Sequence, residues 1–250
     1  MRYGSPDVGF ILQGGRSLLA DLTVVTIDRE AILEETTVLG DSDEQHAKIG
    51  LNKAVITQEG FYDDGTDRIN DALVGLTEEI ACVGYAGNAL PSSGVARPCV
   101  GIKGQLQTTY VRAASRNELH KASAAYVANG IVEELVLLAH HVARTSDSGD
   151  TESTSHDNAA SSADGGAAYL QVSALALGGY DSVQVTIRDS ADDAAWLDHA
   201  DGAFAVVAAA PSAQRIALTG TIRRYTAIDW DFIGAGSSQS ITFMVGLNRV

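Results

Sequence analysis

The sequence predicts a mainly β protein in two parts. Short β-branched runs recur along its 250 residues, and turn-forming clusters of Gly, Asp, Asn and Ser separate them. Apolar residues follow a clear helical spacing at residues 66–76. A polar segment at residues 145–166 contains no large apolar residue. We therefore expect an N-terminal domain at 1–144, a polar linker at 145–166 and a smaller C-terminal antiparallel β-sandwich at 167–250.

Composition and charge argue against two classes of function, membrane insertion and tight nucleic-acid binding. Hydrophobic residues make up 45% of the chain and the mean hydropathy is +0.03, values that are typical of soluble globular proteins. We expect no membrane segment, because no apolar run is long enough to cross a bilayer. The net charge of −15 argues against tight nucleic-acid binding, since phosphate contacts need clustered cations. The acid excess fits either a high-salt host or an ordinary solubilising surface.

The N-terminal part begins with a loose, Gly-rich segment, which a β-branched strand at Leu22–Ile27 follows. The helix at 66–76 places Ile69 and Leu73 on one face, with Thr66 as its N-cap. Further strands are predicted at residues 79–85, 97–103, 105–112, 119–128 and 131–142. The Asn129-Gly130 dipeptide predicts a tight hairpin that joins the last two of these strands.

Between the first strand and the helix, two extended runs flank a long polar loop. The second run is predicted at Ala54–Tyr62. Hairpin loops are usually short, so a long polar loop favours a contact with another surface, and a solvated, disordered loop is the alternative. The residues that would make an inter-subunit or inter-ring contact are Asp41, Ser42, Asp43, Glu44, Gln45, His46 and Lys48.

The C-terminal part alternates apolar and polar residues with the period of β-strands. This alternation directs Trp230 into the core with Ile228 and Phe232, while Tyr225 lies on the opposite face. Trp196 and Tyr225 are therefore the candidates for a surface ligand contact, such as an aromatic platform for carbohydrate.

No group of residues forms a recognisable active site. Asp189, Asp192 and Asp193 lack the glycine and closing glutamate of an EF-hand loop. Cys82 and Cys99 are too few for a disulfide scaffold, so we expect buried free thiols, with a disulfide as the alternative. We expect no enzymatic activity, no cofactor and no metal.

Two stretches of the sequence resemble a known family. The first reads "T..GD", a few polar residues and "GL....I...GFYD", and it resembles the major tail tube proteins of long-tailed viruses of bacteria and archaea. It is carried by Thr37, Gly40, Asp41, Gly50, Leu51, Ile56, Gly60, Phe61, Tyr62 and Asp63. The second is similar to the β-sandwich appended to many of these proteins. It is carried by Val185, Ile187, Asp189, Ser190, Asp193, Trp196, Ile216, Leu218, Gly220, Arg224, Tyr225 and Phe243.

This resemblance implies a tail-tube-like β-sandwich or barrel whose copies close into rings, commonly of six subunits. Stacked rings would form a conduit through which DNA passes without tight binding, and Asp41–Lys48 would reach the next ring. The implied partners are other copies of the chain and other tail proteins at the tube ends. The implied location is the virion tail, after assembly in the host cytoplasm. The alternative is a capsid decoration protein or a carbohydrate-binding surface module.

Overall fold

The computed structural model describes residues 8–35, 46–75, 78–85, 99–130 and 132–250. The fold is mainly β with antiparallel sheets, as predicted. The first half contains one short helix and eight strands within the described ranges. These are β1 (Phe10–Gln13), β2 (Arg16–Ser17), β3 (Leu22–Glu35), β4 (His46–Phe61), α1 (Ile69–Leu73), β5 (Glu78–Gly84), β6 (Cys99–Ala113), β7 (Lys121–Ala128) and β8 (Val132–Arg144).

The second half continues with strands only, apart from a single 3₁₀ turn at Glu152–Thr154. Its strands are β9 (Ser148–Asp150), β10 (His156–Asp157), β11 (Gly166–Ala176), β12 (Ser182–Ser190), β13 (Trp196–Ala203), β14 (Ser212–Leu218), β15 (Tyr225–Ile233) and β16 (Ser240–Arg249). Within the described ranges, no helix has the length and apolar character that a membrane crossing requires.

The strands form two sheets. The larger has the order β14-β11-β16-β8-β6-β5-β1-β2, and it branches at β6 through β7 and β4 to β3. The smaller has the order β10-β15-β12-β13, with β9 beside β10 on the same edge of β15. Strands β11 and β16 of the larger sheet pack against β12 and β15 of the smaller one. The C-terminal sandwich is therefore built between two sheets, one of which also contains the N-terminal strands.

The Asn129-Gly130 dipeptide does not form the predicted hairpin. β7 and β8 instead follow each other along the same edge of β6, because Gln105 lies opposite Ala128 and Ile102 opposite Val132. The backbone N–H of Asn129 donates to the carbonyl of Gly104 at 2.8 Å. The dipeptide is thus a local irregularity between two strands that run in the same direction. β7, which precedes it, and β8, which follows it, both pair with the same edge of β6.

Helix α1 is shorter than predicted and starts at Ile69. Thr66 is not its N-cap; Arg68 holds that position without a side-chain cap. The carboxylate of the distant Asp21 accepts the backbone N–H of Ile69 at 3.2 Å instead. At the other end, Gln107 donates to the carbonyl of Leu73 at 2.5 Å. Long-range contacts therefore set both ends of this helix.

The segment predicted as a polar linker is ordered along the edge of β15. Strands β9 and β10 pair with β15, and Thr151 exchanges two hydrogen bonds with the backbone of Ile228, at 2.9 and 3.0 Å. The side-chain amide of Asn158 donates to the carbonyl of Arg224 at 2.9 Å. The polar linker thus lies along another surface of the chain, where its polar groups satisfy a sheet edge that would otherwise be open, and its role as a domain boundary stays a prediction.

A shared core joins the two halves of the chain. Phe10, Leu12, Cys82 and Cys99 pack with residues of the second half, namely Ala167, Tyr169 and Met244. β8 pairs with β16 as well as with β6. Both cysteines are free and fully buried, and burial raises the pKa of Cys82 to about 12. Independent folding of residues 1–144 and 167–250 stays a prediction, and the two ranges contribute strands to one sheet.

Candidate assembly surface

The longest strand pair of the N-terminal half is the hairpin of β3 and β4. Their register runs from Leu22 opposite Gly60 to Glu35 opposite His46. β4 also pairs with β7, but only from Val55 to Phe61. Among the described residues, the rest of the hairpin has no third strand. We call this part, residues 29–35 and 46–54, the arm.

The arm is a two-stranded ribbon. At about 3.4 Å per residue it extends roughly 25 Å beyond the last residue pair that β4 makes with β7. A two-stranded hairpin alone is marginally stable in water, and it becomes stable when a third strand or another surface covers it. No other strand of the described residues covers either edge of the arm.

Polar contacts hold both ends of the part of β3 that precedes the arm. Nη2 of Arg29 lies 2.7 Å from Oε1 of Glu134 on β8. Asp21 is buried, pairs with Arg68 and accepts the N–H of Ile69. Burial raises the pKa of Asp21, and the positive charge of Arg68 opposes that rise. Arg29 thus connects the base of the arm with β8, and Asp21 connects the start of β3 with α1.

The outer edge of β3 has no strand partner among the described residues. Leu22, Val25 and Ile27 pack against the N-terminal core, whereas Val24 is 47% exposed. An apolar groove of about 240 Å³ lies beside this edge, between β3 and β1. Its lining includes Val8, Ile11, Leu22, Val25, Val83 and Tyr85. An open edge next to an apolar groove can accept an additional strand.

The residues of the predicted contact loop divide into two groups. Asp41, Ser42, Asp43, Glu44 and Gln45 lie outside the described residues. His46 and Lys48 belong to β4, opposite Glu35 and Leu33 respectively, so they are strand positions and not loop positions. The second predicted run at Ala54–Tyr62 is likewise too short, because β4 begins at His46. The polarity of these residues concealed the longer strand, because polar residues near a turn cluster favour a loop when only the sequence is read.

The two predicted surface aromatics lie in the smaller sheet. Trp196 and Tyr225 stand opposite Ser190 on either side of β12. Both are half-buried, whereas Trp230 is in the core with Ile228, as the alternation predicted. Arg224 lies 4.9 Å from the centre of the Tyr225 ring.

Sequence reasoning missed an open cleft of about 380 Å³ on the same sheet. Its lining includes Ser148, Asp150, Arg188, Asp229, Trp230 and Asp231. Two of these residues belong to the segment that was interpreted as a linker, which is why the cleft could not be predicted. The only signal in the sequence was the high density of Asp residues in the two segments that line the cleft, residues 147–150 and 229–231.

The aspartates of the β12–β13 turn have structural roles. Asp192 accepts the backbone N–H groups of Ala194 and Ala195, at 3.1 and 2.9 Å. These hydrogen bonds lower the pKa of Asp192. Asp189 is buried and accepts the backbone N–H of Arg223 at 3.1 Å. The described residues contain no group of three or more His, Cys, Asp or Glu side chains that could hold a metal ion.

No protein-family model matches the chain, and no curated protein matches it significantly. Among solved structures, this chain is similar to a chain in the tail of an empty gene transfer agent particle, which was refined with C6 symmetry. The two have 16% sequence identity and a TM-score of 0.33, and the match covers 46% of this chain and 81% of that one. A chain of the native gene transfer agent virion has 15% identity and a TM-score of 0.38, with coverages of 53% and 98%. The Dit protein of SPP1, from the hub adsorption apparatus of phages that infect Gram-positive bacteria, has 11% identity and a TM-score of 0.34, with coverages of 96% and 98%. Similarities this low do not assign the chain to a family.

Proposed function

We propose that this chain is a structural subunit of a viral tail tube, and that the arm joins each copy to its neighbours. The observation that carries the proposal is that the arm has no third strand among the described residues. A ribbon of this kind gains stability when another chain covers it. The sequence that resembles tail tube proteins, residues 37–63, includes the whole second strand of the arm.

The edge of β3 supports the same proposal. An unpaired edge presents a row of backbone N–H and C=O groups that another strand can complete. The neighbouring groove would receive apolar side chains from the incoming chain. Strand addition at this edge would extend the larger sheet from one subunit into the next.

A contact of this kind joins two different surfaces of identical chains. Such head-to-tail contacts produce a closed ring when their rotation closes, and an open filament when it does not. The sequence resemblance implies rings of six that stack into a tube in the virion. Contacts at the edge of β3 would close the ring, and the far end of the arm would reach the next ring.

Removing the arm tests this proposal. Glu30 lies opposite Lys53, so an Asn-Gly turn can replace residues 31–52 and keep the remaining hairpin in register. We expect the shortened chain to fold and to form single rings that do not lengthen into tubes, because the edge of β3 beside Leu22 and Val25 is left intact. The wild-type chain should form rings or tubes in negative-stain images and give a multimer mass in light scattering.

Leu197→Ala is the matched control for handling and expression, because Leu197 is 55% exposed and far along the chain from the arm. This variant should assemble like the wild-type chain. Tubes of normal length from the armless variant would contradict the role of the arm. A wild-type chain that stays monomeric at high concentration would contradict the whole proposal.

A further inference from the structure

Four strands of the N-terminal half present an open face to the outside. Residues directly opposite each other in an antiparallel sheet share a face. The pairing therefore places four residues in one row across β3, β4, β7 and β6, namely Val24, Glu59, Ser123 and Val111. The alternate residues of β7, Ala122, Ala124 and Tyr126, are in the core, so this row faces away from the core.

This outward face carries little charge. We call it the neutral face, and it consists of every second residue of 24–28, 55–61, 109–113 and 121–127, together with Leu106. Its charged residues are Asp28, Glu59 and Lys121, and Nζ of Lys121 lies 3.5 Å from Oε1 of Glu59. The formal charge of the face is therefore −1, in a chain whose net charge is −15. Nearly all of the acid excess lies elsewhere.

The neutral face also exposes large apolar side chains. Four of them are between 44% and 53% exposed, namely Val24, Phe61, Leu106 and Val111. The centre of the face is occupied by exposed threonines, such as Thr57 on β4 and Thr26 opposite it on β3. Exposed apolar side chains that gather on one face indicate an interaction surface.

The arm has the properties that this face requires of a partner. Its sequence contains three Lys or Arg residues and three Glu residues, so its formal net charge is zero. The sequence also contains four large aliphatic residues, Ile32, Leu33, Ile49 and Leu51. The neutral face measures roughly 14 Å across its four strand axes and roughly 20 Å along β4, so a ribbon of the arm's length covers it.

The occupant has to be the arm of another copy. Within one chain, the arm continues β3 and β4 from Ala54 toward His46, whereas the neutral face extends from Val55 in the opposite direction to Phe61. The arm therefore leads away from its own neutral face.

The outward face of the smaller sheet is a poorer partner for the arm. Asp150, Asp229 and Asp231 line the cleft on that sheet. Covering these carboxylates with a ribbon that contains aliphatic residues would remove them from water, which costs free energy.

We propose that the neutral face receives the arm of a second copy of this chain. This inference rests on the proposed function, in which the arm reaches the next ring, and it names the surface on which the arm lies. The contact would pack a two-stranded ribbon face to face on a four-stranded sheet. It would bury the exposed apolar side chains of the neutral face, and charge repulsion would not oppose it, because the arm has no net charge.

Photo-crosslinking in assembled tubes tests which segment covers the face. The full chain with p-benzoylphenylalanine in place of Val111 is mixed with ¹⁵N-labelled wild-type chain, assembled and irradiated. A crosslink to a ¹⁵N-labelled peptide can only join two copies. We expect mass spectrometry to place these crosslinks within residues 29–35 and 46–54.

A charged substitution on the neutral face tests whether the contact is needed. Val111→Glu should reduce the mean number of stacked rings in negative-stain images at least tenfold, because it places an unpaired carboxylate under the arm. The rings themselves should persist, since the edge of β3 is unchanged. Leu197→Glu is the matched control, because it adds the same charge at an equally exposed strand position of the smaller sheet, and it should form normal tubes.

The possible failures are distinguishable. Tubes of normal length from the Val111→Glu chain, or crosslinks to segments other than the arm in normal tubes, would overturn this inference and leave the proposed function intact. A wild-type chain that forms neither rings nor tubes would overturn the proposed function, and this inference with it. Circular dichroism confirms that each variant is folded before its assembly is compared.

Discussion

Arg215 on β14 holds both carboxylate oxygens of Glu133 on β8, with Nε 3.0 Å from Oε2 and Nη2 2.7 Å from Oε1. Tyr169 on β11 also donates its hydroxyl to Glu133. The side chain of Glu133 is 5% exposed and that of Arg215 is 19% exposed. This group connects a strand from the first half of the chain with two strands from the second half, so it stabilises the sheet that they share.

Arg215→Met should destabilise the fold strongly. It leaves the buried carboxylate of Glu133 without its cation, and breaking a buried pair in this way typically costs about 3–5 kcal/mol. Urea unfolding at pH 7 measures the change in the free energy of unfolding. The matched control is Arg29→Met, which breaks an exposed pair with Glu134 and should cost less than about 1 kcal/mol. Equal costs for the two variants would contradict the structural role of Arg215.

The contribution of this pair should decline in acid. Burial alone would raise the pKa of Glu133, but hydrogen bonds from Arg215 and Tyr169 hold it below its ordinary value of 4.5. A lowered pKa in the folded state means that the stabilisation is present above pH 4.5 and is lost as the pH falls through the folded-state pKa. The difference in unfolding free energy between the wild-type and Arg215→Met chains should therefore shrink below pH 4.5. A difference that stays constant down to pH 3 would argue against this titration.

The segment 145–166 should resist proteolysis in the folded chain. Glu-C protease cleaves after glutamate, and Glu152 is the only glutamate in this segment. Glu152 follows β9, which is paired with β15, whereas Glu118 lies in an exposed loop between β6 and β7. We expect cleavage after Glu118 to be faster than cleavage after Glu152, as measured by mass spectrometry of the fragments.

Thr151→Val is the variant that should reverse this protection. It removes the side-chain acceptor of the Ile228 N–H, and an unpaired buried N–H costs about 1–3 kcal/mol. Cleavage after Glu152 should then accelerate, with cleavage after Glu118 unchanged. Rapid cleavage after Glu152 in the wild-type chain, with two resistant halves, would instead support a free linker between independent domains.

The chain should not bind duplex DNA tightly, even at low salt. Its net charge of −15 repels phosphate, and a conduit works best when DNA has no cationic contacts to break during passage. A mobility-shift assay in about 20 mM salt should show no complex at micromolar protein. We also expect acidic residues to line the tube. A tight complex, or a lumen lined mainly by Arg and Lys in a map of the assembled tube, would contradict this prediction.

Several features of the fold follow from local sequence patterns. Alternation along β12 and β15 correctly placed Val185, Ile187 and Trp230 in the core and Tyr225 on the opposite face. The prediction from alternation is correct there because each strand of a sandwich has one buried and one exposed face. Apolar residues at every second position therefore identify the buried face. The strand at β8 was likewise predicted correctly, although its apolar residues also fit a helical stripe.

The errors arise where a long-range partner decides a local conformation. Asn129-Gly130 has the composition of a hairpin turn, yet the edge of β6 pairs with the strands on both sides of it. The polar segment at 145–166 has the composition of a linker, and pairing with the edge of β15 gives it strands that its composition does not predict. The sequence by itself determined the β class, the faces of the sandwich strands and the position of the helix, because these depend on periodicity within a few residues. Only the tertiary structure decided the shared sheet, the two-stranded arm and the cleft around Arg188, because each depends on which strand edges meet, and no local pattern records that.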